Sequence, residues 1–429
     1  MTREEFDLET YYDRARSGER CGDDSIVDYI KGYSRVILWG ASFQGRAVAR
    51  ALKEKGVVID GFWDIRYKEL VEVDGLIVKE PFSTGDPQNT VVIVCIGNRV
   101  IFNSMVQNMK EHGYKNYIEG DGLYMGLICP FDCSTGIKAR RCSKTMECRQ
   151  IYCDRIRGIM SSKYKDNGLA FTSITLVINQ VCSLKCKYCT SYMNEYKKDE
   201  RVNFSLEQIK NDIDKFLTAV DYVGTITVMG GEPFLHPNIS DIIEYLCQYD
   251  NFGLISIATS GTCLIKDEQL NGLYDERVNI SFSNYTQSIS EDQKNRFYKN
   301  IEMIKEKKIC YTVGVFSPEW IIPHTLDKKN ISDEEAIAKR NSCTHYDQIK
   351  NGKVHPCDFA NAIYSLGIAD YDSDYVDLNI ESSVEELRDR LKEYRNREFY
   401  KVCKHHVRRN GEKYITAKAA EQGYHNFRG

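Results

Sequence analysis

Between Phe171 and Phe316 the chain repeats one pattern: a short apolar run, a polar break, then a longer stretch with helical spacing. The apolar runs read FTSITLVIN, GTITVMG, LISIATS, VNISFSN and CYTVGVF. Strands that alternate with helices pair through crossover connections, so they build a parallel sheet covered by helices. Five or six such units predict an α/β fold with an open, partial (β/α)6 barrel over residues 171–334. One helix announces its own start. Ser205 and Gln208 form an S-x-x-Q capping box, and Leu206, Ile209, Ile213, Phe216 and Val220 follow at helical spacing as its buried stripe.

A smaller version of the alternation comes first. SRVILWGASFQGRAVARALKEKGVVIDGFWD reads as strand, glycine turn, helix and strand, and TVVIVCIGN opens another unit whose helix passes Ile101 and Met105 and ends near Gly113. After an arm over residues 1–20, residues 21–125 therefore resemble a Rossmann-like parallel-sheet domain. Gly40 to Gly45 follow a strand and open a helix, as a nucleotide site requires, and Asp64 ends the next strand, where a ribose-binding acid would fall. Ser42 stands where the usual G-x-G-x-x-G has its central glycine. Gly40, Ser42, Gly45 and Asp64 are the candidate nucleotide contacts. The competing reading is a module kept for oligomer contacts or for handing on substrate.

Cysteine is the unusual residue, with 16 in 429 positions. The charged start, MTREEFDLETYYDRARSGER, lacks the apolar middle of an export signal, so a cytoplasmic protein is expected. In that reducing compartment, clustered thiols point to metal ligation rather than disulfides. Cys95 and Cys247 lie in apolar runs and read as small buried hydrophobes. The net charge of -4 supplies no basic field for nucleic acid or anionic lipid, and no apolar run is long enough to span a membrane.

CSLKCKYC places Cys182, Cys186 and Cys189 on a loop directly after the strand SITLVIN. Three thiolates on one short loop leave a fourth coordination position open, which is where a cofactor or substrate can bind. A zinc knuckle that borrows a remote fourth ligand is the plainer alternative. The spacing C-x3-C-x2-C, with Tyr188 before the last cysteine, resembles the radical S-adenosylmethionine (radical SAM) superfamily. That resemblance implies a 4Fe–4S cluster whose open iron chelates SAM, and reductive cleavage of SAM to a 5′-deoxyadenosyl radical that abstracts a hydrogen atom from substrate. GTITVMGGEPFLHP follows at one strand–helix unit's distance, and its Gly230, Gly231, Glu232 and Pro233 resemble the family's GGE motif, which meets the SAM ammonium. Thr259 and Ser260, and Ser281, Ser283 and Asn284, end later strands and resemble the family's contacts to the SAM ribose and carboxylate, although each also serves as a strand cap.

Residues 335–429 resemble a small twitch or SPASM-like domain that holds an auxiliary 4Fe–4S cluster. Cys343 and Cys357 flank a turn at Asn351 and Gly352, and Cys403 comes later. His406 stands where the family has its last cysteine, so a Cys3His zinc site is the alternative. The connecting segment 126–170 holds Cys129, Cys133, Cys142, Cys148 and Cys153 at spacings that match no metal motif. The resemblance implies radical chemistry on a small molecule, a carbohydrate or nucleotide-linked sugar, by dehydrogenation, dehydration or epimerisation. A flavodoxin or ferredoxin would supply the electron. Epimerisation needs a thiol that returns a hydrogen atom, and Cys263, just past a strand end, is the candidate. Peptide maturation is the alternative activity, and a non-catalytic iron–sulfur or zinc module is the alternative outside enzymes.

Overall fold

The computed structural model describes residues 6–16, 25–41, 43–83, 85–96, 99–120, 123, 168–275, 277–314, 319–323, 325–341, 343, 346–405 and 415–427. Ser42, His406 and the five cysteines from Cys129 to Cys153 fall outside them. The chain divides into two compact units, Met1–Tyr164 and Lys165–Gly429. No described helix is long and apolar enough to cross a membrane.

The first unit runs α1 (Leu8–Arg16), α2 (Ser25–Lys31), β1 (Arg35–Trp39), α3 (Phe43–Glu54), β2 (Gly61–Trp63), β3 (Glu72–Val73), β4 (Leu76–Lys79), β5 (Thr90–Val94), α4 (Arg99–Glu111) and β6 (Tyr117–Glu119). Its sheet has the order β3-β4-β2-β1-β5-β6, and only the β3–β4 pairing is antiparallel. Successive residues of a strand face opposite sides. Val36 and Leu38 of β1 accordingly enter one apolar cluster, with Leu52 and Phe62, while Ile37 and Trp39 enter another with Trp63 and Met109. Both faces are covered, which is why these strands read as unbroken apolar runs. Strand order reverses between β1 and β5, the point at which open α/β sheets leave a crevice beyond their carboxyl ends.

The second unit contains β7 (Ala170–Val177), α5 (Leu206–Ala219), β8 (Tyr222–Met229), α6 (Ile239–Leu246), β9 (Phe252–Thr259), β10 (Val278–Phe282), α7 (Glu291–Glu306), β11 (Tyr311–Val313), β12 (Glu319–Ile321), α8 (Asp333–Asn341), β13 (Asp347–Lys350), β14 (Lys353–His355), α9 (Asp358–Ser365), β15 (Val376–Asp377), α10 (Val384–Arg395) and β16 (Thr416–Lys418). Strands β7 to β11 are parallel and lie side by side in chain order, as the five apolar runs predict. Among the described residues, no sixth barrel strand follows β11. β12 pairs antiparallel with β16 in a separate ribbon, and the sheet instead grows at its other edge, where β13 joins β7 in parallel and β14 and β15 follow antiparallel.

One hydrophobic core serves the whole second unit, taking Ile226 and Ile257 from the barrel strands together with Phe359, Leu391 and Tyr394 from the later helices. Helix α5 starts where its sequence says, with Ser205 Oγ accepting from Gln208 N at 3.1 Å. The second half of the expected capping box is absent. Gln208 donates its side-chain amide to Asp212 and Asn379 instead, a use no local pattern announces. Asn351 and Gly352, at φ 46° and 84°, make the tight turn between β13 and β14, and Gly352 N donates to the buried Asp212 carboxylate at 3.0 Å.

Candidate active site

The parallel register sets Val177 beside Met229, so the loop leaving β7 runs against the turn leaving β8. Ile178 N donates to Met229 O at 2.8 Å, Glu232 N to Val181 O at 2.7 Å, and Gly231 N to both Asn179 O and Asn179 Oδ1. A Cβ on Gly230 would lie 2.1 Å from Asn179 Oδ1, and one on Gly231 would lie 2.3 Å from Val181 O. The two glycines are therefore required by the segment that delivers Cys182, besides leaving backbone open to a ligand.

Cys182, Cys186, Cys189, Gly230, Gly231, Thr259, Ser260 and Ser283 line one cavity of about 720 Å³. Loop residues from the β7, β8, β9 and β10 connections thus converge at the carboxyl ends of the strands, as in barrel enzymes generally. The three cysteines are half-buried. Desolvation pushes the pKa of each up, that of Cys186 to about 12, and the neighbouring thiols add to the rise at Cys182 and Cys186. A cationic metal centre is what converts such thiols to thiolates. Three of them around one cavity, beside open glycine backbone, fit a cluster with three cysteine ligands and one open position.

Glu232 lies behind this wall rather than in it. It is fully buried and accepts from Thr259 Oγ1 at 2.6 Å, Ser260 Oγ at 2.6 Å, Ser260 N at 3.0 Å and Phe234 N at 3.3 Å. Burial pushes its pKa up, and these donors work against that rise. Ser260 Oγ also meets Thr262 Oγ1 at 2.9 Å, and Thr262 Oγ1 meets Ser183 Oγ at 2.8 Å. A chain of hydroxyls therefore ties the Glu232 carboxylate to the cysteine loop.

The loop is held from a second side by residues much later in the sequence. Lys187 N donates to Glu421 O at 2.7 Å, Gly423 N to Lys185 O at 2.8 Å, and Lys185 N to Gln422 Oε1 at 2.9 Å. Gln422 also reaches Cys186 Sγ at 3.5 Å.

Other sequence candidates take different places. Tyr188 packs against the His425 ring, tilted by 52° at 5.2 Å between centres, and Pro233 is buried at the start of a short helical turn. Ser281 lies within β10, Asn284 accepts from the Thr286 hydroxyl, and neither lines the cavity. Cys263, the expected hydrogen donor, packs on the hydrophobic core and is also outside the lining; its pKa is pushed up to about 12 by burial. In the first unit, Gly40 (φ 111°) would place a Cβ 3.0 Å from Cys95 O, and a Cβ on Gly45 would collide with Gly40 O. These glycines let α3 close on β1. Asp64 accepts from Ala41 N at 2.9 Å and pairs with Arg66, so its oxygens are engaged within the turn. Burial would raise its pKa, but Arg66 and the two amides hold it below the usual range.

Cys343 lines the large cavity together with Lys339, Asp358 and Trp320, which sequence reasoning passed over. Lys339 does lie one helical turn before Cys343, and Asp358 adjoins Cys357; these were the available signals. Cys357 accepts from Ala360 N as the cap of α9, and burial pushes its pKa well up, with Asp358, Cys343 and Cys403 adding to the effect. Cys403 is raised to about 11 by burial, and Cys343 contributes. The three thiols are therefore electrostatic neighbours. His405, the sequence neighbour of His406, is buried and bonded to Tyr371 and Leu326. Among the described residues, no three His, Cys, Asp or Glu side chains converge as a single metal ion would need.

Residues 176–319 match the family model of the Radical SAM superfamily. Among curated proteins, the antilisterial bacteriocin subtilosin biosynthesis protein AlbA of Bacillus subtilis (strain 168) is 28% identical over 145 residues, 33% of this chain and 31% of AlbA. An S-adenosylmethionine-dependent nucleotide dehydratase of Selenomonas ruminantium is 33% identical over 92 residues, covering 21% of this chain and 31% of the dehydratase. A GTP 3′,8-cyclase of Alkaliphilus oremlandii (strain OhILAs) is 32% identical over 105 residues, 24% and 32% of the two chains. The matches span about a third of the length of these relatives. The segment that matches the Radical SAM superfamily, residues 176–319, is the one that carries the three cysteines and the Gly230–Gly231 turn.

Proposed function

We propose that this chain is a radical SAM enzyme that abstracts a hydrogen atom from a small carbohydrate or nucleotide-linked sugar bound in the 720 Å³ cavity. The observation that carries the reading is the convergence of Cys182, Cys186 and Cys189 with Gly230, Gly231, Thr259 and Ser260 around that one space. A reduced 4Fe–4S cluster together with SAM would supply the radical that abstracts hydrogen, with a flavodoxin or ferredoxin giving the electron. The chain's own residues bind and exclude. The three cysteines would hold the cluster, the Gly230–Gly231 backbone would accept the SAM ammonium, and Thr259, Ser260 and Ser283 would present hydroxyl oxygens to its polar groups. Glu232 keeps Thr259 and Ser260 in place from behind.

The cavity has the size of small-molecule sites, and Trp320, Lys339 and Asp358 are among the lining residues left for substrate. The nucleotide substrates named for two of the relatives, and the doubly wound sheet of the first unit, support a nucleotide-linked substrate. In this reading Gly40, Ser42, Gly45 and Asp64 mark where the first unit would hold a nucleotide. Cys343, Cys357 and Cys403, with His406, would hold the auxiliary cluster. Because Cys263 does not line the cavity, dehydrogenation or dehydration is favoured over an inversion that depends on it. The match to AlbA supports a second reading, modification of a peptide.

An anaerobic count of iron, sulfide and zinc tests the assignment, comparing the native chain with the Cys182, Cys186, Cys189→Ala triple variant. About eight irons falling to about four are expected, one 4Fe–4S cluster lost and one retained. About four irons with one zinc would make the later cysteines a zinc site. Iron unaffected by the triple substitution would remove the radical SAM reading itself.

A further inference from the structure

The second unit has another cavity, of about 510 Å³, beside the β13–β14 turn, and it shares no lining residue with the first. Its most unusual wall residue is Lys350. This lysine is 5% exposed, and its ammonium donates to two neutral hydroxyls, Tyr196 Oη at 3.2 Å and Ser365 Oγ at 3.0 Å. It also sits 4.9 Å from the Tyr196 ring centre and 6.0 Å from that of Phe204. Among the described residues no carboxylate pairs with it. Lysine is almost never buried to this degree without a counter-ion.

The hairpin register makes the arrangement costlier. Lys350 lies directly opposite Lys353 across the β13–β14 ladder, and like charges in that position repel. Lys353 has a carboxylate partner in Asp377 and an aromatic wall in Tyr375, 4.2 Å from its ammonium. Asp377 thus serves Lys353 and leaves Lys350 without an acid. The carboxylate on the cavity wall, Asp370, is exposed. Phe204 and Tyr364 supply apolar surface, while Gln180 and Asn351 supply amides able to bond a polar ligand. Desolvation alone pushes the Lys350 pKa down to about 7, and an anion in contact would hold the lysine charged.

We propose that this cavity is a second ligand site, taking a small carboxylate- or phosphate-bearing molecule with Lys350 as its buried counter-ion and Lys353 as a neighbouring cation. The site stands apart from the SAM cavity and does not depend on the reaction carried out there.

Calorimetric titration of the full-length, cluster-loaded protein, equilibrated in chloride, tests this with inorganic phosphate in one arm and acetate in the other. Saturable uptake of one anion per chain is expected, weakened at least tenfold by Lys350→Met, with iron content and SAM cleavage unchanged. The arm that binds identifies the phosphate or the carboxylate as the ligand chemistry. Failure of both anions to bind, or undiminished binding by the variant, would overturn the proposal. Should the variant not fold, acetylation of the native protein decides the matter: phosphate or acetate must protect Lys350 from acetic anhydride, and equal labelling with and without anion would refute the site.

Discussion

Glu232 gathers four donors from the ends of β8 and β9 onto one buried carboxylate, and through Ser260, Thr262 and Ser183 the same network reaches the cysteine loop. Removing the acceptor would strand two hydroxyls and two amides, each worth about 1–3 kcal/mol when left unpaired. Glu232→Ala should therefore lower the unfolding free energy by roughly 2–3 kcal/mol in urea titrations. It should also weaken SAM binding about tenfold, because the hydroxyls it orients lose their positions; Glu232→Gln should do less on both counts. The three cysteines were legible because their chemistry is written within eight consecutive residues. The role of Glu232 was not, because its partners Thr259 and Ser260 lie 27 and 28 positions away and meet it only once the sheet is formed. The same holds for Lys339, Asp358 and Trp320, which reach the cavity from elements that join the barrel through tertiary packing. Cys263 illustrates the converse: its place after a strand end suggested the active face, yet its neighbours are core side chains.

The elements add to one another in ways periodicity does not encode. Apolar alternation identified the five parallel strands β7 to β11, since each buried strand carries its own signal. It was silent about β13, whose edge pairing with β7 is long-range and whose residues include buried polar groups. The tie between α5 and the β13–β14 turn is one such group. Asp212 is buried and accepts from Gly352 N and from Gln208 Nε2, and burial pushes its pKa up to about 6 from 3.8. A raised acid pKa means that the folded state binds the proton more tightly than the unfolded one. Its stabilising contribution is present at low pH and is lost as pH rises from about 4 through about 6. Urea unfolding at pH 5 and at pH 7 should therefore show a decrease in stability that is smaller in Asp212→Asn. An equal decrease in the variant would assign the slope to other groups.

At the scale of the whole molecule, the two units have separate hydrophobic clusters, and all the residues that bring the SAM-side cavity together belong to the second. A chain of residues 165–429 should accordingly fold, take up iron and cleave SAM in the absence of substrate at a rate within about twofold of the full protein, a tolerance corresponding to roughly 0.4 kcal/mol of activation free energy. Reductive cleavage assayed by release of 5′-deoxyadenosine checks this, and a chain that binds iron but cannot cleave SAM would place part of the machinery in the first unit. The clasp on the cysteine loop has a consequence in time. Lys185 finds its partner 237 positions further along the chain, at Gln422. At a synthesis rate of about 5–20 residues per second, roughly ten to fifty seconds separate the emergence of the thiols from that of the segment that secures them. For that interval the newborn loop offers three unclasped cysteines to oxidants and to competing metals, so under the proposed function iron delivery would belong after translation has passed Gly423.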